Sequence, residues 1–217
     1  YKAASRFLEP ALADKAWSAL PDQMGAEDLP PAIILDVDET VVSNAEFQAS
    51  FVPPFTNAKL DKWNETGKAR AIPGVVEFIK LARESGVEIF FVTNRPCEPK
   101  AGTDAACPQE AVTVQDIIEA GIDTDAEHVM LANERPEWDR EKVVRRNLIA
   151  ETHRVIMLIG DDLSDFIPCV RSSPRSPCTE MATAASRDIL AYENSKYWGA
   201  GWFVLPNPMH GSWTTVE

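Results

Sequence analysis

Short apolar segments alternate with helical segments along most of the chain, and this alternation restricts the fold more than any other feature of the sequence. Five segments have the composition of buried strands: AIILDV (32–37), VEIFFVTN (87–94), HVMLAN (128–133), RVIMLIGDD (154–162) and GWFVLPNP (201–208). The stretches between them, such as VVEFIKLARESG and DREKVVRRNLIAE, have helical periodicity. Strands separated by helices of about a dozen residues form right-handed βαβ units. We therefore predict an α/β protein with one parallel sheet.

The 217 residues, of which 45% are hydrophobic, are enough for one sizeable core. We expect a single domain over 1–217, with a core formed by residues 31–42 and 72–213. Two segments lie outside that core in this prediction: an N-terminal helical arm (1–29), interrupted by Pro10, and a helical cap-like insertion (43–71).

The distribution of charge and of apolar segments argues against two classes of function. The chain has 21 basic and 34 acidic residues, and no basic stripe along which a nucleic-acid polymer could bind. No apolar segment approaches the roughly 20 residues of a membrane helix. We therefore expect neither a nucleic-acid partner nor a transmembrane segment. A lipid anchor upstream of Tyr1 is compatible with the chain, because the chain does not begin with Met.

Four cysteines form two close pairs in loops rich in proline, serine or glycine: Cys97 with Cys107, and Cys169 with Cys178. Neither pair has the spacing of a zinc site. Pairs that close loops favour disulfides and an oxidising compartment, although four cysteines allow three pairings. The alternative is four reduced thiols in a cytosolic protein.

Polar side chains follow three of the predicted strands at the point where each strand ends. The first strand ends in DVDET (36–40), the second in TNR (93–95) and the fourth in GDDLSD (160–165), while the helix after the third carries Lys142. The carboxyl ends of parallel strands meet at one edge of the sheet, where ligands bind. We therefore expect several carboxylates to face cations there. A hard divalent cation such as Mg²⁺ would neutralise them, usually together with substrate phosphate.

These four motifs, in this order, resemble those of the haloacid dehalogenase superfamily of phosphohydrolases. AIPGVVEF (71–78), NERPEW (133–138) and LPNPMHGSW (205–213) narrow the resemblance to the class C type of bacterial secreted acid phosphatases, which includes outer-membrane lipoprotein phosphatases and 5'-nucleotidases. The similarity covers about residues 31–213. It implies a Rossmann-like parallel sheet with helices on both faces and a small helical cap insertion.

The resemblance also implies catalytic roles for four residues. Asp36 would be the nucleophile that forms an aspartyl-phosphate, and Asp38 the general acid and later the base. Thr93 and Lys142 would complete the catalytic set. The implied cofactor is Mg²⁺, with Asp36, Asp38 (through its backbone carbonyl) and Asp161 as ligands.

Thr93, Asn94 and Lys142 are the implied phosphate-binding residues. The serine that usually follows this lysine in the family is Val143 here, and an exposed helix-face lysine is the alternative. Asp162 and Asp165 would orient water and Lys142, although Asp162 could instead be a helix N-cap.

Substrate selection is assigned to four residues: Phe47, Trp63, Arg95 and His210. Phe47, Trp63 and His210 could form a ring-stacking wall, whereas packing beneath the insertion is the alternative for the first two. Arg95 either meets phosphate or pairs with a carboxylate. Nucleotidase members of the family tend to have a phenol where this chain has His210, so the resemblance does not extend to a nucleotide preference.

The resulting prediction is an Mg²⁺-dependent acid phosphatase, a phosphoric monoester hydrolase whose small-molecule substrates include 5'-nucleotides as candidates. One alternative is a non-catalytic storage or phosphate-binding relative of the same fold. Another is a cytosolic phosphotransferase or sugar phosphatase. The resemblance and the cysteine pairs together imply a periplasmic, outer-membrane-associated or secreted bacterial protein.

Overall fold

A computed structural model describes residues 1–50 and 52–216; Phe51, in the cap-like insertion, and Glu217 lie outside the described residues. The helices and strands follow one another as α1 (Lys2–Ala13), β1 (Pro31–Leu35), β2 (Val42–Ser43), α2 (Ala45–Ser50), α3 (Asn57–Asn64), β3 (Arg70–Ala71), α4 (Val75–Glu84), β4 (Glu88–Pro96), α5 (Pro108–Glu119), β5 (Val129–Ala132), α6 (Val143–Ala150), β6 (Arg154–Gly160), α7 (Ala184–Glu193) and β7 (Trp202–Val204).

Five strands form a parallel sheet in the order β5-β4-β1-β6-β7, with β1 at the centre. Its apolar strands are buried on both faces, as is typical of parallel sheets. Ile33 and Leu35 of β1 pack into one apolar cluster with α1, α4 and α5. Ala32 and Ile34 point the other way, into a cluster that includes Ile149 of α6. Helices therefore cover both faces, and the predicted α/β fold is confirmed.

The N-terminal arm is helical only over α1, and this helix continues through Pro10 instead of being interrupted there. Its buried residues, Ala4, Leu8 and Ala11, lie on one face, whereas Pro10 is exposed. The missing N–H of Pro10 removes the helical partner of the carbonyl of Arg6, a residue that is also exposed. Because water can reach that carbonyl, the helix tolerates the proline.

The cap-like insertion leaves and re-enters the core through a short antiparallel ribbon. Val42 of β2 pairs with Ala71 of β3, and Ser43 pairs with Arg70. An isolated bridge between Asp38 and Val42 connects this ribbon to the segment that follows β1. The insertion, which contains α2 and α3, therefore begins beside the carboxyl end of the central strand.

Two disulfides, Cys97–Cys107 and Cys169–Cys178, close loops that follow strands of the sheet. The first connects the residue after β4 to the residue before α5. Of the three pairings that four cysteines allow, the structure has the one between sequential neighbours. Within residues 1–50 and 52–216, no helix combines the length and the apolar composition that a membrane span requires.

Candidate active site

The carboxyl ends of three neighbouring strands, β4, β1 and β6, bring the predicted motifs together. Asp36 follows β1 directly, and its backbone N–H donates to the carbonyl of Ile159 in β6 at 2.9 Å. Thr93 and Asn94 lie near the end of β4, and Asp161 follows β6. Val37 is fully buried in the core, so the strand geometry turns the side chains of its two acidic neighbours away from the core.

Lys142 lies between two carboxylates. Its Nζ contacts Asp36 Oδ1 and lies 2.7 Å from Asp165 Oδ1, and all three side chains are buried. Burial lowers the pKa of Lys142, but the charges of Asp165 and Asp36 outweigh burial and raise that pKa above its ordinary value. Lys142 immediately precedes α6 and is 3% exposed, which excludes the alternative of an exposed lysine on the helix face.

Asp36, Asp161 and Asp165 form a carboxylate group in which one oxygen of each lies within 4.8 Å of the others. Burial and the charge of Asp165 raise the pKa of Asp161 to about 7. Burial also raises the pKa of Asp36 well above its ordinary value, although Lys142 acts in the opposite direction. A divalent cation with oxygen ligands would remove this repulsion, so the donor set fits a hard cation such as Mg²⁺.

Both oxygens of Asp165 are already used by protein donors. Oδ1 pairs with Lys142, and Oδ2 accepts from the backbone N–H groups of Asp161 and Asp162 at 3.1 and 2.9 Å. Gly160 makes room for this carboxylate, since a Cβ at that position would lie 2.3 Å from Asp165 Oδ2. Asp165 therefore holds Lys142 and the turn after β6, and we expect the other two carboxylates of the group, Asp36 and Asp161, to be the ones that would hold a metal.

Asp162 is the N-cap of a short 3-10 helix, Leu163–Asp165, which is the alternative that the sequence left open. Its Oδ1 accepts from Ser164 N and from Ser212 Oγ at 2.9 and 2.7 Å. Burial raises the pKa of Asp162, but hydrogen bonds from both serines outweigh burial and lower that pKa to about 2. Asp162 thereby attaches the C-terminal segment around Ser212 to the end of β6.

The carboxylate of Asp38 is held from two sides. Arg95 donates from Nε to Oδ2 at 3.0 Å and from Nη2 to Oδ1 at 2.8 Å, and Asn44 Nδ2 donates to Oδ1 at 2.7 Å. Burial raises the pKa of Asp38, but the charge and hydrogen bonds of Arg95, together with Asn44, bring it below its ordinary value. Of the two placements considered for Arg95, the structure has the pairing with a carboxylate. The backbone carbonyl of Asp38 remains the atom that the resemblance implies as a metal ligand.

Arg145 attaches the two phosphate-binding candidates of β4 to neighbouring segments. Its guanidinium is fully buried and contacts the carbonyl of Thr93. It also donates to Asn94 Oδ1 at 3.1 Å, to the carbonyl of Met130 in β5 at 3.2 Å and to that of Asp139 at 2.9 Å. The side-chain amide of Asn94 is therefore directed toward Arg145. This role of Arg145 was not found from the sequence.

The aromatic candidates of the insertion pack against each other. Phe47 is 5% exposed and stacks on Trp63 with ring centroids 6.1 Å apart, which fits the packing alternative. Trp63 has a second contact, because its Nε1 donates to Asn44 Oδ1 at 2.7 Å. His210 Nε2 lies 2.9 Å from Glu39 Oε2. This hydrogen bond raises the pKa of His210, although burial lowers it.

Three further residues at the site were not found from the sequence. Asn207 Nδ2 donates to Asp161 Oδ2 at 2.7 Å, and Thr40 Oγ1 donates to the other oxygen at 3.3 Å. The hydroxyl of Tyr1 donates to the carbonyl of Thr40 at 2.7 Å, and burial together with the charges of Asp36 and Asp161 raises the pKa of Tyr1. Thr40 lies in DVDET and Asn207 in LPNPMHGSW, so these two motifs could have pointed to both residues. No sequence motif surrounds Tyr1 that could have done the same.

Solved structures with this architecture include the class C acid phosphatase from Bacillus anthracis. It is 28% identical to this chain with a TM-score of 0.73, and the alignment covers 98% of this chain and 77% of that one. A second structure, described as that enzyme with tungstate bound, gives a TM-score of 0.74 at the same identity and coverage. The predicted resemblance to class C acid phosphatases is therefore confirmed.

Curated relatives from Glycine max are more distant. A stem 31 kDa glycoprotein is 23% identical over 163 residues, which cover 70% of this chain and 53% of the relative. A stem 28 kDa glycoprotein is 23% identical over 150 residues, which cover 66% of this chain and 55% of the relative. The chain thus spans about half the length of these relatives. The profile described as HAD superfamily, subfamily IIIB (acid phosphatase) matches residues 9–213, and the chain belongs to that family.

Proposed function

We propose that this protein hydrolyses phosphate monoesters and that Asp36 carries the phosphoryl group between two half-reactions. The observation that carries this proposal is the position of buried Lys142 between Asp36 and Asp165, at the same sheet edge as Asp38 and its partner Arg95. A carboxylate nucleophile, a fixed cation and a second carboxylate are the groups that phosphoryl transfer through an aspartyl-phosphate requires. The tungstate in the similar Bacillus anthracis structure supports it, because tungstate is a tetrahedral oxyanion like phosphate.

In the first half-reaction, an oxygen of Asp36 forms a bond to phosphorus while the bond from phosphorus to the ester oxygen breaks. The ester oxygen keeps the bonding electron pair and receives a proton from Asp38. Of the two oxygens of Asp38, Oδ2 would carry that proton, because it has fewer hydrogen-bond donors. Among the described residues it accepts only from Arg95 Nε, whereas Oδ1 also accepts from Asn44 and from Arg95 Nη2.

In the second half-reaction, Asp38, now a carboxylate, takes a proton from a water molecule whose oxygen attacks phosphorus. The bond between Asp36 and phosphorus breaks, and inorganic phosphate is released. Lys142 offsets the negative charge of Asp36 and of the phosphoryl oxygens in both steps. The Thr93 hydroxyl and the Asn94 backbone N–H bind the phosphoryl oxygens in this proposal.

Asp36 and Asp161 would hold a divalent metal, Mg²⁺ in this proposal, together with the backbone carbonyl of Asp38. A bound cation supplies positive charge beside the phosphoryl oxygens. The acidic group offers carboxylate oxygens without nitrogen or sulfur, which favours a hard cation such as Mg²⁺ over softer metals such as zinc or copper. Asn207 and Thr40 keep the carboxylate of Asp161 in place by a hydrogen bond to each of its oxygens.

For the substrate, we propose small phosphate monoesters and include 5'-nucleotides among them. Phe47 and Trp63 pack against each other, and Trp63 also donates a hydrogen bond to Asn44. Recognition of a nucleotide base would therefore depend on His210.

Two disulfides support an oxidising location, for which we propose the periplasm, the outer membrane or the medium of a bacterium. The non-catalytic alternative is disfavoured because Asp36, Asp38 and Asp161 are all retained.

Hydrolysis of p-nitrophenyl phosphate, measured with Mg²⁺ and then with excess EDTA, tests the proposal. We expect turnover with Mg²⁺, loss of turnover with EDTA, and no turnover in Asp36→Asn. Asp28→Asn, at an exposed position, is the matched control and should keep full activity. Wild-type protein that binds Mg²⁺ and phosphate but hydrolyses no ester would instead establish the non-catalytic alternative.

A further inference from the structure

Asp116 of α5 takes part in a buried ion pair that leads directly to Asp38. Arg95 Nη1 lies 2.6 Å from Asp116 Oδ2, while the other edge of the same guanidinium, Nε and Nη2, binds Asp38. The side chains of Arg95 and Asp116 are each 2% exposed. Asp116 itself does not contact Asp38 and lies in a helix that contributes no other group to the reaction.

Charge balance alone does not account for Asp116. Asp38 and Arg95 already form a neutral pair, and a further buried carboxylate carries a desolvation penalty unless its contacts compensate. The position of Asp116 is explained instead by the planar geometry of the Arg95 guanidinium. A guanidinium is a rigid planar fork, so a carboxylate that fixes one Nη fixes the direction of the opposite edge.

A neighbouring cavity explains why such a restraint is needed. Arg95 and Thr113 line a cavity of about 280 Å³ between α3 and α5. A guanidinium without a partner at Nη1 has room to turn into this cavity and away from Asp38. Thr113 Oγ1 adds only a long contact of 3.4 Å to Nη1, so Asp116 is the main restraint on that side.

We propose that Asp116 is a positioning residue for the proton-transfer step: it holds Arg95, and Arg95 holds Asp38 so that Oδ2 faces the leaving oxygen. This inference rests on the proposed function, because it assigns a role within that reaction. It predicts an effect that depends on the leaving group. A nitrophenolate departs as an anion with little need of a proton, whereas an alkoxide must be protonated as it leaves.

The experiment compares kcat and KM for p-nitrophenyl phosphate and for a simple alkyl phosphate in wild type, Asp116→Leu and Asp116→Asn. Leucine has a similar shape but no acceptor, and asparagine restores an acceptor. In Asp116→Leu we expect kcat/KM, which reports the first half-reaction, to fall about tenfold more for the alkyl ester than for the nitrophenyl ester. Asp116→Asn should recover most of that loss. Asp123→Leu, at an exposed position after α5, is the matched control and should leave both rates unchanged.

The ratio of the two rates does not depend on how much of a sample is folded, so partial unfolding does not obscure the result. If Asp116→Leu yields no folded protein, Arg95→Lys, which cannot bridge both carboxylates as a fork, should show the same selective loss. An equal loss on both esters, or no loss on either, would overturn the inference and leave Asp116 with a structural role. A wild type that hydrolyses neither ester would refute the proposed function instead.

Discussion

Trp63 Nε1 donates a hydrogen bond of 2.7 Å to the side-chain oxygen of Asn44, and the amide of Asn44 donates in turn to Asp38. Trp63 belongs to α3 of the cap-like insertion, whereas Asp38 follows the central strand of the core. Asn44 is 1% exposed, so this connection is shielded from water. The insertion, assigned from the sequence to substrate selection, therefore also restrains the proposed proton donor.

Trp63→Phe should lower kcat more than it raises KM. The substitution keeps an aromatic ring against Phe47 but removes the N–H that fixes Asn44. A buried acceptor left without a donor costs about 1–3 kcal/mol, and here that loss loosens Asp38. Steady-state kinetics on p-nitrophenyl and alkyl phosphates would measure the changes in kcat and KM. Trp198→Phe, which removes an N–H bonded to the carbonyl of Ala191, is the control. A pure rise in KM would show that Trp63 acts by contacting substrate.

Asn207→Leu should weaken binding of the metal. Asn207 donates to Asp161, and loss of a partner that orients a metal ligand typically lowers metal affinity about 10–100-fold. Because a bound metal stabilises the folded state, the rise in Tm with added Mg²⁺ reports affinity without any assay of activity. The midpoint of that rise should move to higher Mg²⁺ concentration in Asn207→Leu and stay unchanged in Asn147→Leu, an exposed control. An unchanged midpoint in Asn207→Leu would contradict the proposed ligand role of Asp161.

His128 should stabilise the fold in mild acid. It lies at the amino end of β5, with Nε2 3.0 Å from Glu88 and Nδ1 2.7 Å from Asp125. Burial lowers the pKa of His128, but hydrogen bonds to both carboxylates raise it above 6.5; burial raises the pKa of Glu88, but its histidine partners bring it below 4.5. The contribution of His128 is complete below pH 6.5 and is lost as pH rises through its raised pKa. That of Glu88 is complete above pH 4.5 and is lost as pH falls through its lowered pKa.

Urea unfolding of wild type and His128→Gln at pH 5.5 and pH 8 would test this prediction. The free-energy difference between the two proteins should be larger at pH 5.5, although below about 1 kcal/mol because the pair is partly exposed. Glu88→Gln should reduce the pH dependence as well. A difference that grows toward pH 8 would mean that His128 acts through packing against Phe90 and not through its charge.

Both disulfides should form in the purified protein and contribute to stability. Loops of this length, with separations of 10 and 9 residues, give about 2–3 kcal/mol each in the chain-entropy treatment. Peptide mapping after alkylation should show Cys97 linked to Cys107 and Cys169 to Cys178, and reduction should lower the Tm. Recovery of four free thiols from protein made in an oxidising compartment would favour the cytosolic alternative.

The fold and the centre of the site could be predicted because their signals are local. A buried parallel strand appears as a continuous apolar run, and the residues that end it are adjacent in sequence, as with Leu35, Asp36 and Asp38. The order of motifs along the chain then places them on one edge of the sheet. The prediction that Pro10 interrupts the N-terminal helix was wrong, although it also rested on a local signal. Whether a proline interrupts a helix depends on the surroundings of the carbonyl that loses its hydrogen-bond partner.

The supporting contacts could not be predicted, because each joins residues that are far apart in sequence. Asp116 lies 21 residues after Arg95, and Asn207 lies 46 residues after Asp161. Nothing in the helical pattern around Asp116 separates a buried partner of Arg95 from a solvated aspartate. For Trp63 the sequence indicated the residue but not the atom, since the contact with Asn44 uses the indole N–H and not the ring face.

The contacts of Arg145 have a consequence for attempts to transfer this site to another protein. The short motifs could be copied onto a different parallel sheet, but one buried guanidinium here sets the spacing between β4, β5 and the segment before α6. The Nε of Arg145 has no hydrogen-bond partner among the described residues, so these contacts are all made by its two Nη groups. A lysine has a single donor centre and could not replace this fork. A designed copy would therefore need an equivalent of Arg145 to place its catalytic residues at the correct distances from one another.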